Sequence, residues 1–107
     1  MDHIAYSINE KKVTVRLPEQ MDIQNSGEIR KEVSKLVQEK KDMDFHFELS
    51  RVQYLDSVGV GVLVGFQRKI YGNGNDVVFL NPGDQVMRIF ETTQLIKVFN
   101  IKHTEAF

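Results

Sequence analysis

Tyr54-Leu55-Asp56-Ser57-Val58-Gly59-Val60-Gly61-Val62-Leu63-Val64-Gly65-Phe66 is the stretch around which the chain is organised. Its apolar run predicts a helix beginning near Ser57, and Gly72-Asn73-Gly74 predicts its stop near Tyr71. Gly59, Gly61 and Gly65 each cost that helix up to about 1 kcal/mol against alanine. A backbone carrying them is expected to approach something closely. Val58, Val60, Val62, Leu63 and Val64 point in nearly every helical direction. One face can enter a core, and the rest either meets another element or forms a partner surface. Ser57 stands at the helix start, where its hydroxyl can cap the first turn. The same free amides and dipole also tolerate a phosphate. That phosphate adds roughly −1.5 to −2 charge. Asp56 is adjacent, and Asp22 is near if both loops lie at one end of the sheet. Composition and spacing leave both roles of Ser57 open.

Working outward, Phe45, Phe47 and Leu49 alternate with Asp44, His46 and Glu48, which predicts a strand, followed by a loop over 50–56. Upstream, Ile4, Tyr6 and Ile8 form one short alternating run and Val13, Val15 and Leu17 a second, a hairpin turned at Asn9-Glu10-Lys11 and stopped by Pro18. A loop over 19–22 precedes a helix that Asn25 or Ser26 can cap, with Glu28 in capping-box register. Ile29, Val33, Leu36 and Val37 give that helix its inner face. Downstream, Val77 to Leu80 is apolar on both faces and predicts a central strand. Asn81-Pro82 predicts the cap and first residue of a third helix with Val86, Ile89 and Phe90 inside. Val98, Phe99 and Ile101 suggest a last short strand, and 104–107 a stub of helix or a frayed tail. The order is β-β-α-β-α-β-α with an optional final β. It predicts an α/β fold, a mixed sheet of four to five strands flanked by helices.

Length and charge narrow the function. The 107 residues fit a single domain, 1–107, able to bury roughly 65% of its unfolded surface. A formal charge of −1 carries no electrostatic footprint for nucleic acid or an anionic membrane. The absence of cysteine excludes disulfides, thiolate catalysis and thiolate zinc sites. Met1-Asp2-His3 lacks the basic start of a signal peptide, and Val58 to Phe66 is too short to span a bilayer. The expectation is a cytoplasmic protein with no cofactor and no metal.

With motif and element order together, the chain resembles a STAS domain, and more narrowly the free-standing anti-sigma factor antagonists of bacteria. The resemblance covers almost the whole chain. Its most specific part is Val52-Gln53-Tyr54-Leu55-Asp56-Ser57-Val58-Gly59-Val60-Gly61, similar to the family's Asp-Ser-x-Gly-hydrophobic-Gly segment. Met21-Asp22, Gly72-Asn73-Gly74 and the run from Val86 to Phe90 leading to Gln94-Leu95 add to it. It implies that the unphosphorylated protein, a monomer when free, binds an anti-sigma factor that is also a serine kinase, releasing a sigma factor. Phosphorylation by that kinase ends the complex, and a serine phosphatase restores the antagonist. By motif position the phosphorylated residue is Ser57. The partner surface implied is Asp22, Asp56, Ser57, Val58, Gly59, Val60 and Gly61. Where relatives often carry Ser or Thr, this chain has Val58, leaving one hydroxyl. Glu19 stands where they often have glycine, and the C-terminal helix is curtailed.

Three rival functions compete with this one. Gly59, Gly61 and Gly65 superficially match a dinucleotide-binding pattern, but such glycines follow a strand directly. A hydrolase using Ser57 needs a base from His3, His46 or His103, and none is placed by sequence to supply it. A STAS module of a transporter or multi-protein sensor, with no phosphorylation switch, is the serious competitor.

Overall fold

The alternating runs become a sheet with one dry face. The computed structural model describes residues 4–104. In chain order the elements are β1 (Ala5–Asn9), β2 (Lys12–Arg16), β3 (Gln20–Met21), α1 (Ser26–Glu39), β4 (Asp44–Glu48), β5 (Tyr54–Leu55), α2 (Ser57–Gly72), β6 (Val77–Leu80), α3 (Asp84–Thr92), a 3₁₀ turn (Leu95–Lys97) and β7 (Ile101–Lys102). Five strands form one mixed sheet in the order β1-β2-β4-β6-β7. The β1–β2 hairpin is antiparallel and every other pairing in it is parallel.

Each parallel step passes through a helix, and each moves to the next strand in the same direction. Right-handed crossovers then place all three helices on one face. Burial agrees: Val13, Val15, Phe45, Phe47 and Leu49 are buried, whereas Lys12, Thr14, Asp44, His46 and Glu48 are only half-buried. The helices therefore cover one side of the sheet, not both. Under them lies a run of rings. Phe47 stacks on Phe66 at 5.2 Å and on Phe79 at 5.6 Å, and Phe79 stacks on Phe99 at 4.2 Å. Each such buried ring contributes about 1.5–3 kcal/mol relative to exposure. β6 sits between β4 and β7, as its unbroken apolar sequence predicts.

Three local expectations need correction. Asn25 is the N-cap of α1 but makes no side-chain cap bond. Its Oδ1 accepts from the Asp22 amide at 3.0 Å and its Nδ2 donates to the Gln20 carbonyl at 2.8 Å, so the side chain braces the preceding turn instead. Asn81 does not cap α3, which starts at Asp84 after Gly83. Asn81 is left-handed (φ 56°), and its amide joins Glu48 and Thr104 across strand ends. The last strand is Ile101–Lys102, because Val98 closes the 3₁₀ turn and is exposed. Of the predicted tail at 104–107, residues 105–107 lie outside the described residues, as does His3.

The fold also contains a second, two-stranded sheet that no sequence period predicts. β3 and β5, two residues each, pair in parallel with Gln20 opposite Tyr54 and Met21 opposite Leu55. The Glu19 carbonyl leads into it, accepting from the amides of Gln53 at 2.6 Å and Tyr54 at 3.2 Å. Both loops flanking the Ser57 helix are thereby tied together.

Candidate functional site

The register of the small sheet builds the site. The residues after its last pair, Met21 and Leu55, are Asp22 and Asp56, so the two loops run out side by side. Asp56 is the N-cap of α2. Its Oδ1 accepts from the Gly59 amide at 2.9 Å, and its Oδ2 accepts from the Ile23 amide at 3.0 Å. Asp22 folds its own turn, its Oδ1 accepting from the amides of Gln24 at 3.0 Å and Asn25 at 3.3 Å. Both carboxylates are therefore held by backbone donors, and both lie beside the start of α2.

That division of labour resolves Ser57. The capping bond belongs to Asp56, so Ser57 is not the cap but the first residue of the helix, and it is exposed. Among the described residues its hydroxyl makes no hydrogen bond. The segments that meet at Asp56 carry large exposed apolar side chains: Ile23, whose amide Asp56 holds, is 75% exposed, Tyr54 on β5 55%, and Val58, next to Ser57, 40%. The exposure of Ile23 and Tyr54 is not an expectation of the sequence. The available signal for Ile23 was a β-branched residue inside an otherwise polar turn, where nothing internal needs it.

Gly61 is exposed like Ser57 and Val58, while Val60 is half-buried against the core. Gly59, also among the expected contact residues, is buried. A Cβ there would overlap the Met21 carbonyl oxygen and lie 2.8 Å from Leu55 Cδ1. The close approach expected of one glycine is thus internal: it lets α2 sit directly on β3. Gly59, Gly61 and Gly65 all fall within α2, not in a turn before it. That is not how a phosphate-binding glycine loop is placed.

His46 lies on the open face of the sheet, between Asp44 and Glu48 on β4. Burial holds its pKa below the ordinary histidine value; Lys12 and Lys102 push the same way, and Asp44 opposes them. Among the described residues no cluster of three or more His, Asp or Glu could hold a metal ion, and no helix is long and apolar enough to cross a membrane.

The model of the STAS domain family matches residues 3–107. The chain belongs to the STAS family. The anti-sigma-B factor antagonist of Listeria monocytogenes is 32% identical over 75 residues. That match spans 70% of this STAS chain and 66% of the relative, just under two thirds of its length. A Thermotoga maritima protein assigned as an anti-sigma factor antagonist superposes with a TM-score of 0.82 at 24% identity, over 95% of this chain and 86% of its own. SpoIIAA, an anti-sigma factor antagonist, superposes in its unphosphorylated form with a TM-score of 0.80 at 20% identity, over 95% of this chain and 88% of its own. At those identities the two structures establish the shared fold, a single mixed α/β unit with its helices packed on the sheet.

Proposed function

We propose that this STAS domain is an anti-sigma factor antagonist switched at Ser57. In its unphosphorylated form it binds an anti-sigma factor that is also a serine kinase, in the cytoplasm, and so frees a sigma factor. Transfer of a phosphoryl group to Ser57 ends the complex, and a serine phosphatase reverses it. The observation that carries this reading is the free hydroxyl. With the cap assigned to Asp56, Ser57 holds up no part of the fold and stands exposed next to Val58, where the segments carrying Ile23 and Tyr54 meet at Asp56.

The physics of the switch follows from that setting. Apolar side chains ringed by polar ones are the usual core of a docking surface. A hydroxyl in the middle of such a surface is cheap to cover. A phosphate there brings roughly −1.5 to −2 charge next to Asp22 and Asp56, and the covered complex has to desolvate all three. The free domain tolerates the phosphate better, because the first turn of α2 supplies a positive dipole end in open water. A penalty of only about 3–4 kcal/mol on the complex weakens it a few hundredfold.

The experiment is incubation with the cognate kinase and ATP, followed by intact mass, for wild type and Ser57→Ala. One added phosphate on wild type and none on the variant is expected. In titration against the anti-sigma factor, Ser57→Ala should bind persistently and Ser57→Asp roughly a hundredfold more weakly. A wild type that gains no phosphate and binds no differently from Ser57→Asp would return the domain to the non-switching class.

A further inference from the structure

Between α1 and α2 runs a groove of about 530 Å³. Its walls come from Gly27 and Arg30 on α1 and from Val58, Gly61, Gly65 and Lys69 on α2. The α2 residues repeat at i, i+3, i+7 and i+11, one face of the helix. The groove begins at Val58, beside Ser57, and follows the helix for roughly 16 Å at 1.5 Å per residue. The first-turn surface around Ser57 does not require its far end.

Gly61 and Gly65 have no internal explanation. A Cβ at either meets nothing within 4 Å, and neither has positive φ. Alanine at each position would favour the helix without a clash. Gly59, by contrast, is required by the Met21 carbonyl. The two exposed glycines keep the groove shallow-walled and free of side chains at a spacing that lets another helix backbone come close. Arg30 and Lys69 stand exposed on opposite walls, and neither pairs with a carboxylate among the described residues. The groove is thus lined mainly by glycines and apolar side chains and carries one cation on each helix.

We infer that this groove receives an amphipathic helix of the anti-sigma factor, one that presents small or apolar residues to Gly61 and Gly65 and carboxylates to Arg30 and Lys69. The inference rests on the proposed function for the identity of the partner, and extends its contact surface from the first turn of α2 to the fourth.

Titration calorimetry with the purified cognate anti-sigma factor tests it, on wild type, Ser57→Asp, Gly65→Leu and the double variant Arg30→Glu/Lys69→Glu. Gly65→Leu fills the groove ~12 Å from Ser57 along the helix and should retain the wild-type circular dichroism. It should weaken binding ~30-fold or more, as the loss of a hot spot does. The charge-reversed variant alters only exposed side chains, and should slow association about tenfold with a reduced salt dependence. Unchanged affinity of Gly65→Leu and of the charge-reversed variant, alongside loss of binding by Ser57→Asp, overturns the groove and leaves the Ser57 switch standing. Absence of binding by wild type overturns both. A free protein that dimerises in sedimentation, and stops doing so in Gly65→Leu, assigns the groove to a second copy of this chain and overturns the partner helix.

Discussion

Alanine placed in turn at Gly59, Gly61 and Gly65 should move stability in opposite directions, although all three lie in the same helix. At each position the helix gains up to about 1 kcal/mol from the better propensity of alanine. At Gly61 and Gly65 nothing opposes that gain, since the new methyl meets no atom within 4 Å. At Gly59 the methyl overlaps the Met21 carbonyl oxygen and sits 2.8 Å from Leu55 Cδ1 and 3.0 Å from Met21 Cβ. A backbone carbonyl cannot rotate away as a side chain can, so α2 and β3 must separate. Overpacking of this kind costs about 1–3 kcal/mol. The separation also strains the bond from the Asp56 amide to the Met21 carbonyl, at 3.2 Å, worth about 1 kcal/mol. Gly59→Ala should therefore lose about 1–3 kcal/mol net, whereas Gly61→Ala and Gly65→Ala should gain up to about 1 kcal/mol each. Urea unfolding followed by far-ultraviolet circular dichroism measures all three, and a scan should show shifts of roughly 4 °C or more per kcal/mol for a domain of this size. Equal shifts of the same sign at Gly59 and Gly65 would refute the assignment of internal contact to one and external contact to the other.

Asp56→Ala removes a cap worth ~1 kcal/mol and a charge-assisted bond of similar value to the Ile23 amide, so about 2 kcal/mol should be lost. Urea unfolding reads the loss, and hydrogen exchange should quicken at both Ile23 and Gly59. His46 supplies a pH dependence. Its folded pKa lies below its unfolded value, so the unfolded chain binds more protons as pH falls through the ordinary histidine range. The stability due to neutral His46 is complete above that range and is lost as pH drops through it. Between pH 7 and pH 5 wild type should thus lose more stability than His46→Gln, and a chemical-shift titration should place the His46 midpoint below about 6.5. Parallel stability profiles of the two proteins would contradict the burial of the imidazole.

The main sheet was legible because its signal is local. Phe45, Phe47 and Leu49 had only to alternate with polar neighbours, and Ile29, Val33, Leu36 and Val37 had only to recur at helical spacing. The small sheet was not legible. Two residues show no period, and Gln20-Met21 and Tyr54-Leu55 become strands only because distant segments meet. The expected side-chain capping bonds are absent for a related reason. Asn25 and Asn81 are suitable capping residues, but each has better partners in the folded chain, the Gln20 carbonyl and Asp22 amide for one, Glu48 and Thr104 for the other. At the Asp-Ser motif the sequence predicted a helix start, yet which of its two side chains caps the helix depended on geometry. Ile23 became part of the surface only when the Asp56 carboxylate, 33 residues away, took hold of its amide.

That grip gives the molecule an unusual mechanical economy. One carboxylate is the hinge pin for both the turn that displays Ile23 and the opening coil of the Ser57 helix. The shortest link between Ile23 and the serine's helix is therefore a single side chain, and it does not cross the sheet.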